Sequence, residues 1–236
     1  MNLILISESD YSAPDRVILQ GRRFAHITSV HNARPGETLV VGLVNQGMGT
    51  GTVLTVAGSF VELAVSIHTP PPPPLPITLI LALPRPKMLR RILQSVTSLG
   101  VKTIVLINSW RVEKSFWSSP VLEPDAIRNE LILGLEQSRD TRMPSVIQRR
   151  LFKPFVLDEL PRIAEGSLAL AAHPKTSDVC PTHVRQPVTL AVGPEGGFID
   201  FEIETLESVG FKTVSLGPRI LRVETALPVL ISRLFP

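Results

Sequence analysis

The stretch Val188-Thr189-Leu190-Ala191-Val192-Gly193-Pro194-Glu195-Gly196-Gly197 decides how this chain is read. Five apolar or β-branched residues run straight into a glycine-bearing loop, the pattern of a buried strand that ends in a turn. A counterpart follows: the apolar run 211–215 leads into Leu216-Gly217-Pro218-Arg219-Ile220-Leu221-Arg222. Between the two lies an amphipathic helix over about 200–209, stopped by Gly210, and Glu224-Thr225-Ala226-Leu227 opens a last helix after the second loop. Open α/β sheets hold ligands in loops at the carboxyl ends of neighbouring parallel strands. The pair of loops is therefore a stronger functional signal than either one.

Upstream of this stretch, from Ile77 on, strand and helix patterns alternate. Residues 77–83, 101–107, 146–148 and 167–172 read as strands, and 86–99, 124–138 and 154–165 as helices. In the first helix Met88, Leu89, Ile92, Leu93, Val96 and Leu99 form one apolar stripe, while Lys87, Arg90, Arg91 and Gln94 lie opposite. In the second, Ile127, Leu131 and Leu135 point inward. Alternation of this kind predicts an α/β fold: a mostly parallel sheet with helices on both faces, over residues 77–236. Residues 1–69 read differently. Runs at 15–20, 38–44, 51–56 and 60–67 are strand-like, Asn45 to Gly51 supplies a turn, and one helix is expected over 22–30. A small antiparallel β-barrel closes that many short strands. The proline run at 70–76 has almost no backbone donors and favours an extended strut, so it reads as a linker.

Composition bounds the function. The chain of 236 residues can bury a sizeable core, and its 19% charged content is that of a globular protein. No apolar run approaches the roughly 20 residues of a membrane span. Residues 1–8 lack the basic start and length of a signal peptide and read as a first strand. A single cysteine, Cys180, permits no internal disulfide and suits a cytoplasmic location. The sequence pI is about 9.3, and basic residues cluster at Arg22 and Arg23, at Arg85, Lys87, Arg90 and Arg91, at Arg139 and Arg142, and at Arg149 and Arg150. Such clusters suit a polyanionic partner, although solvated surface charge explains any one of them as well.

Several chemistries are excluded by pattern. The loop with Glu195 is not the dinucleotide fingerprint, and no G-x-x-x-x-G-K-[ST], G-x-S-x-G, H-E-x-x-H or C-x-x-C occurs. His173, Cys180 and His183 share a proline-rich loop, which reads as incidental spacing, and no metal is expected.

The segments 191–198 and 215–226 resemble the methyl-donor motifs of the 16S ribosomal RNA uridine-N3 methyltransferases of the SPOUT superfamily. Glu136-Gln137-Ser138-Arg139 with Arg142-Met143-Pro144 is similar to a further motif of that family, and the likeness in order and spacing runs the length of the chain. The resemblance implies a PUA-like β-barrel that helps hold RNA, and a C-terminal domain closed by a trefoil knot. It implies S-adenosylmethionine bent among three loops. These supply Leu170, Ala171 and His173, then Gly193, Pro194, Glu195, Gly196 and Gly197, then Leu216, Gly217, Ile220, Leu221, Arg222, Thr225 and Ala226. Ribosomal RNA of the small subunit is the implied partner, the protein a homodimer without membrane attachment.

Methyl transfer to uridine N3 is an in-line displacement in which positioning supplies much of the rate. Arg222 is expected to stabilise the uracil anion and Glu224 to orient donor or base, though both also suit an ion pair at a helix start. Thr225 is expected to cap the last helix, with Pro228 in its first turn. Arg22, Arg23, Arg85, Lys87, Arg90, Arg91, Arg139 and Arg142 are the expected RNA contacts. The chain departs from the family on that side. Ser29-Val30-His31-Asn32 stands where arginines are usual, and Ser95 and Ser98 stand where Lys and Glu are frequent. Two alternatives stay open: an enzyme for another RNA position, or a silent RNA-binding assembly factor.

Overall fold

The computed structural model describes residues 2–236; Met1, the start of the expected first strand, lies outside the described residues. Two compact units result, Met1–Pro73 with Ile132–Met143, and Pro74–Leu131 with Pro144–Pro236. Residues 132–143 fall inside the stretch 77–236 expected to form one α/β domain, yet they belong to the N-terminal unit.

In the first unit, β1 (Ile4–Ile6), β2 (Tyr11–Ala13), β3 (Arg16–Gln20), β4 (Thr38–Leu43), β5 (Met48–Ala57) and β6 (Phe60–Thr69) form one sheet in the order β1-β4-β5-β6-β3-β2. Alternation does the work: in β3, Val17 and Leu19 are fully buried between exposed neighbours. They pack with Ile27 of helix α1 (Gly21–Ser29), Val41, Val61 and Leu63. The expectation of a purely antiparallel arrangement is corrected, because β1 pairs with β4 in parallel. β1 is also preceded by Leu3 and contains Leu5, which pack with Leu135 in a second cluster. The turn expected over 45–51 is shorter, since β5 already begins at Met48. Gly49 lies within that strand, where a Cβ would fall 1.8 Å from the carbonyl oxygen of Ser66; the glycine serves close strand approach at a bulge rather than a turn.

The second unit is built on β7 (Ile77–Ala82), β8 (Thr103–Ile107), β9 (Ser145–Arg149), β10 (Leu168–Ala172), β11 (Val188–Val192) and β12 (Lys212–Val214), in the order β12-β10-β11-β7-β8-β9. Every pairing is parallel. β11 is buried at all five positions, as a strand covered on both faces must be. Its helices are α2 (Pro86–Ser98), α3 (Pro124–Ser138, whose end belongs to the first unit), α4 (Phe152–Pro154), α5 (Leu160–Ile163), α6 (Asp200–Ser208) and α7 (Val223–Leu234). In α2 the expected stripe is buried at Leu89, Ile92, Leu93 and Val96. The continuous helix expected over 154–165 is corrected. A π-helical turn, Phe155–Glu159, separates α4 from α5, and Pro161 has no N–H to return to the Leu157 carbonyl.

The last helix also differs from expectation. Arg222, not Thr225, is the N-cap, and its carbonyl oxygen accepts from the Thr225 and Ala226 amides at 2.9 and 2.7 Å. Pro228 lies inside α7, one turn deeper than expected, which removes the N–H that would reach the Glu224 carbonyl. The loop between β10 and β11 engages this end of the chain. Val179 bridges to Ser215, Val184 N–H donates to the Leu234 carbonyl at 2.8 Å, and Arg233 Nε donates to the Cys180 carbonyl at 2.7 Å. Cys180 is buried, and burial pushes its thiol pKa up.

Candidate functional site

The carboxyl ends of β10, β11 and β12 open into a cavity of about 400 Å³. Three loops wall it, 172–175, 193–198 and 214–221, with Val223, Ala226 and Leu230 of α7 behind them and Arg111, from the loop after β8, at one side. Most of the interior is apolar, contributed by Val192, Leu216, Ile220, Leu221 and Leu230.

The first glycine loop is tight for a stated reason. A Cβ on Gly193 would lie 2.8 Å from the Phe198 amide nitrogen, and Gly197 adopts φ +73° while its N–H donates to the Pro194 carbonyl at 2.7 Å. Arg111 lies against the same loop: its guanidinium donates to the Gly196 carbonyl oxygen. Glu195 accepts from the Arg85 backbone amide at 3.1 Å, which places its carboxylate at the N-terminus of α2, the favourable end of the helix dipole. Behind the loop the buried carboxylate of Glu202 joins two segments, accepting from the Ile199 amide at 3.0 Å and the Trp110 amide at 2.7 Å.

His173 stands at the end of β10, its N–H donating to the Val214 carbonyl at 2.9 Å. Its ring Nδ1 is buried without a hydrogen-bond partner. Burial first, and Lys175 after it, hold the imidazole pKa below its usual value. The cavity therefore offers backbone groups from glycine loops and apolar walls, with a neutral imidazole in its lining whose Nδ1 is closed to solvent. It suits a nucleoside-sized ligand with a flat apolar body and a few polar edges.

Of the residues expected to hold a cofactor, His173, Gly193, Pro194, Glu195, Gly196, Gly197, Leu216, Gly217, Ile220, Leu221 and Ala226 line the cavity. Leu170 and Ala171 do not; both are packed within β10, and Ala172 is the strand residue that reaches the wall. Arg222, Glu224 and Thr225 are also off the wall. Arg222 is exposed between two lining residues, Leu221 and Val223, and so stands outside the cavity at its edge. Arg111 and Lys175 line the cavity from outside the segments 191–198 and 215–226, while Phe198 and Arg219 lie within those segments but are not among the expected cofactor contacts. Lys175 and Arg219 lie close to expected contacts, whereas Arg111 is 85 positions from Gly196 and carried no local signal. Among the described residues no cluster of three or more His, Cys, Asp or Glu is placed to hold a metal.

The expected RNA contacts divide into two kinds. Arg22 donates twice to Glu136, at 2.8 and 3.0 Å, and Arg23 twice to Asp10, at 2.6 and 2.7 Å. For Asp10, burial raises the carboxyl pKa, yet the bonds from Arg23 and the Ser7 amide outweigh it and the net effect is a lowering. Both arginines thus have structural duties within their own unit. Arg85, Lys87 and Arg91 are exposed, whereas Arg90 pairs with Glu130 at 3.6 Å. Arg139, in a left-handed conformation with φ 55°, and Arg142 are exposed as well. No helix among the described residues is long and apolar enough to cross a membrane.

Comparison with known proteins places this geometry. The RNA methyltransferase domain family profile matches residues 71–235. The ribosomal RNA small subunit methyltransferase E of Treponema pallidum is 27% identical over 232 residues, 96% of this chain and 87% of that protein. Among solved structures, a Legionella pneumophila protein described as a methyltransferase, in complex with the cofactor SAM, has a TM-score of 0.76 at 26% identity, covering 97% of this chain and 96% of that one. The ribosomal RNA small subunit methyltransferase E of Neisseria gonorrhoeae, bound to S-adenosyl methionine, has a TM-score of 0.74 at 22% identity over 98% of this chain and 95% of that one, a likeness of fold.

Proposed function

The chain belongs to the RNA methyltransferase domain family, and on that premise we propose that it is an S-adenosylmethionine-dependent enzyme that methylates small-subunit ribosomal RNA, at N3 of a uridine in the 16S molecule. One observation carries the reading: both glycine loops converge on a single apolar cavity that His173, at the end of β10, also lines. These residues fit the donor. Val192, Leu216, Ile220 and Leu221 suit the faces of adenine, and the backbone of the glycine loops suits its polar edge and the ribose. Neutral His173 adds no charge to repel a sulfonium. The bound donor supplies an electrophilic methyl group.

This chain's residues do the rest by position and charge. Arg222, exposed at the cavity edge, stabilises the uracil anion left when N3 loses its proton. Glu224, in the first turn of α7, orients the reacting groups. RNA phosphates are met by Arg85, Lys87 and Arg91, with Arg139 and Arg142 as further contacts. Arg22 and Arg23 are omitted from that surface because they hold Glu136 and Asp10.

The C-terminal segment threads a trefoil knot, supported by the bonds from the 173–187 loop to Ser215 and to Arg233 and Leu234 of α7. The N-terminal sheet is a PUA-like RNA-binding barrel, and the protein acts in the cytoplasm as a homodimer; exposed Val229 offers apolar surface for a second copy.

Mass spectrometry of 16S ribosomal RNA from a deletion strain tests the assignment. One N3-methyluridine should vanish and return with the wild-type gene but not with Arg222→Ala, while calorimetry finds donor affinity in that variant little changed. A full complement of methylated uridines in the deletion strain overturns the assignment.

A further inference from the structure

Trp110 is 79% exposed, although a large aromatic ring left in water forfeits its burial energy. Its backbone is held firmly. Trp110 and Arg111 are the central residues of a turn closed by the Val112 N–H on the Ser109 carbonyl at 3.1 Å. The Trp110 amide donates to buried Glu202 at 2.7 Å, and Glu202 also anchors Ile199, just past the glycine loop. Arg111 grips the Gly196 carbonyl of that loop. One turn therefore sends a cation onto the donor cavity and, from the adjacent residue, an indole into solvent. The surrounding segment is rigid, and its cations outnumber its one exposed carboxylate, Glu113: Arg111 and Lys114 are exposed, Trp117 donates its indole N–H to Asn108 at 2.9 Å, and Arg150 lies 5.5 Å over the Trp117 ring. An exposed aromatic with a fixed backbone, set among cations, suits the face of an unstacked base better than the apolar surface of a protein.

We propose that Trp110 is a stacking platform for a nucleobase of the RNA at the mouth of the donor cavity, a residue that positions the target nucleotide. The inference rests on the reading of the site as an RNA methyltransferase centre. Stacking is indifferent to base identity, so Trp110 contributes affinity and orientation, and choice of the nucleotide falls to other groups.

The test uses the full chain with Trp110→Ala and Trp110→Phe. On small ribosomal subunits, Trp110→Ala should raise KM for RNA about tenfold or more, the scale of one lost stacking contact, while Trp110→Phe keeps most of the affinity. Calorimetry should find donor binding equal in all three proteins. Independently of turnover, single-stranded oligouridylate should quench the tryptophan fluorescence of the wild type, and the quench should disappear in Trp110→Phe, where only buried Trp117 still emits. An unchanged KM in Trp110→Ala, or a quench that persists in Trp110→Phe, overturns the proposal. So does conversion of a dimer to a monomer by Trp110→Ala in analytical ultracentrifugation, which would make Trp110 a contact between copies. If the wild type transfers no methyl group to any RNA yet the Trp110 quench is present, the catalytic reading fails while the stacking contact stands.

Discussion

Gly193 sits where a side chain has no room. A methyl group there would lie 2.8 Å from the Phe198 nitrogen and 3.1 Å from the Gly197 carbonyl carbon, both backbone atoms that cannot swing aside. Gly193→Ala must therefore open the loop, at a cost on the order of 1–3 kcal/mol for an overpacked site. The expected outcome is a lower melting temperature and a donor affinity reduced about tenfold or more by calorimetry. His173 offers a prediction in pH. Its pKa is depressed by burial and by Lys175, so the folded chain resists a proton that the unfolded chain accepts near 6.5. Its contribution to stability is whole above pH 6.5 and is lost as pH falls through the depressed folded value. Urea midpoints between pH 7.5 and 5.5 should fall further for the wild type than for His173→Gln; His26, depressed in the same direction, leaves the variant a residual slope. At this scale the glycine loops were legible because their signal is local. Arg111 was not, since its role exists only once β8 and β11 lie in one sheet with β7 between them.

Helices α1 and α3 are joined by a pair worth breaking. Glu136 is 1% exposed at its side chain and receives two bonds from Arg22, itself half open to water. Arg22→Ala leaves a buried carboxylate short of its partner, with an expected loss of about 3 kcal/mol. Urea denaturation checks this, and Glu136→Gln added to Arg22→Ala should recover part of the loss, because the uncompensated charge is then gone. Helix α2 carries the electrostatic prediction. Lys87 and Arg91 are exposed on its polar face. If each neutralises one RNA phosphate, replacing both with alanine should flatten the slope of log K against log salt by about 1.4 for single-stranded RNA and leave donor binding intact. The elements themselves were readable where a stripe or an alternation repeats, as in α2, α3 and β3. They were misread where a single backbone choice decides. Thr225 has a good capping side chain, yet the chain enters its helix at Arg222, and no composition rule distinguishes those starts.

For the whole molecule, the division into a β-rich start and an α/β remainder follows from a change in hydrophobic period near the proline run. That change says nothing about residues 132–143, which leave the α/β unit to complete the other one. Three contacts show what they supply. Leu135 packs on Leu3 and Leu5, Glu136 receives Arg22, and Thr141 donates to the Gln46 carbonyl at 2.8 Å. The motif around Glu136 to Arg142, legible as a family resemblance, thus has a structural duty within the first unit. A fragment ending at Pro73 therefore lacks part of its own core and one partner of a near-buried ion pair. We predict that residues 1–73 alone unfold without a cooperative transition, whereas the full chain melts cooperatively. Supplying 132–143 to the fragment through a short glycine-serine tether should restore the transition, because loop closure over a flexible linker costs only slowly more with length. Calorimetric scans of the three proteins decide the matter. A sharp transition in the untethered fragment would mean that the excursion decorates the first unit without completing it.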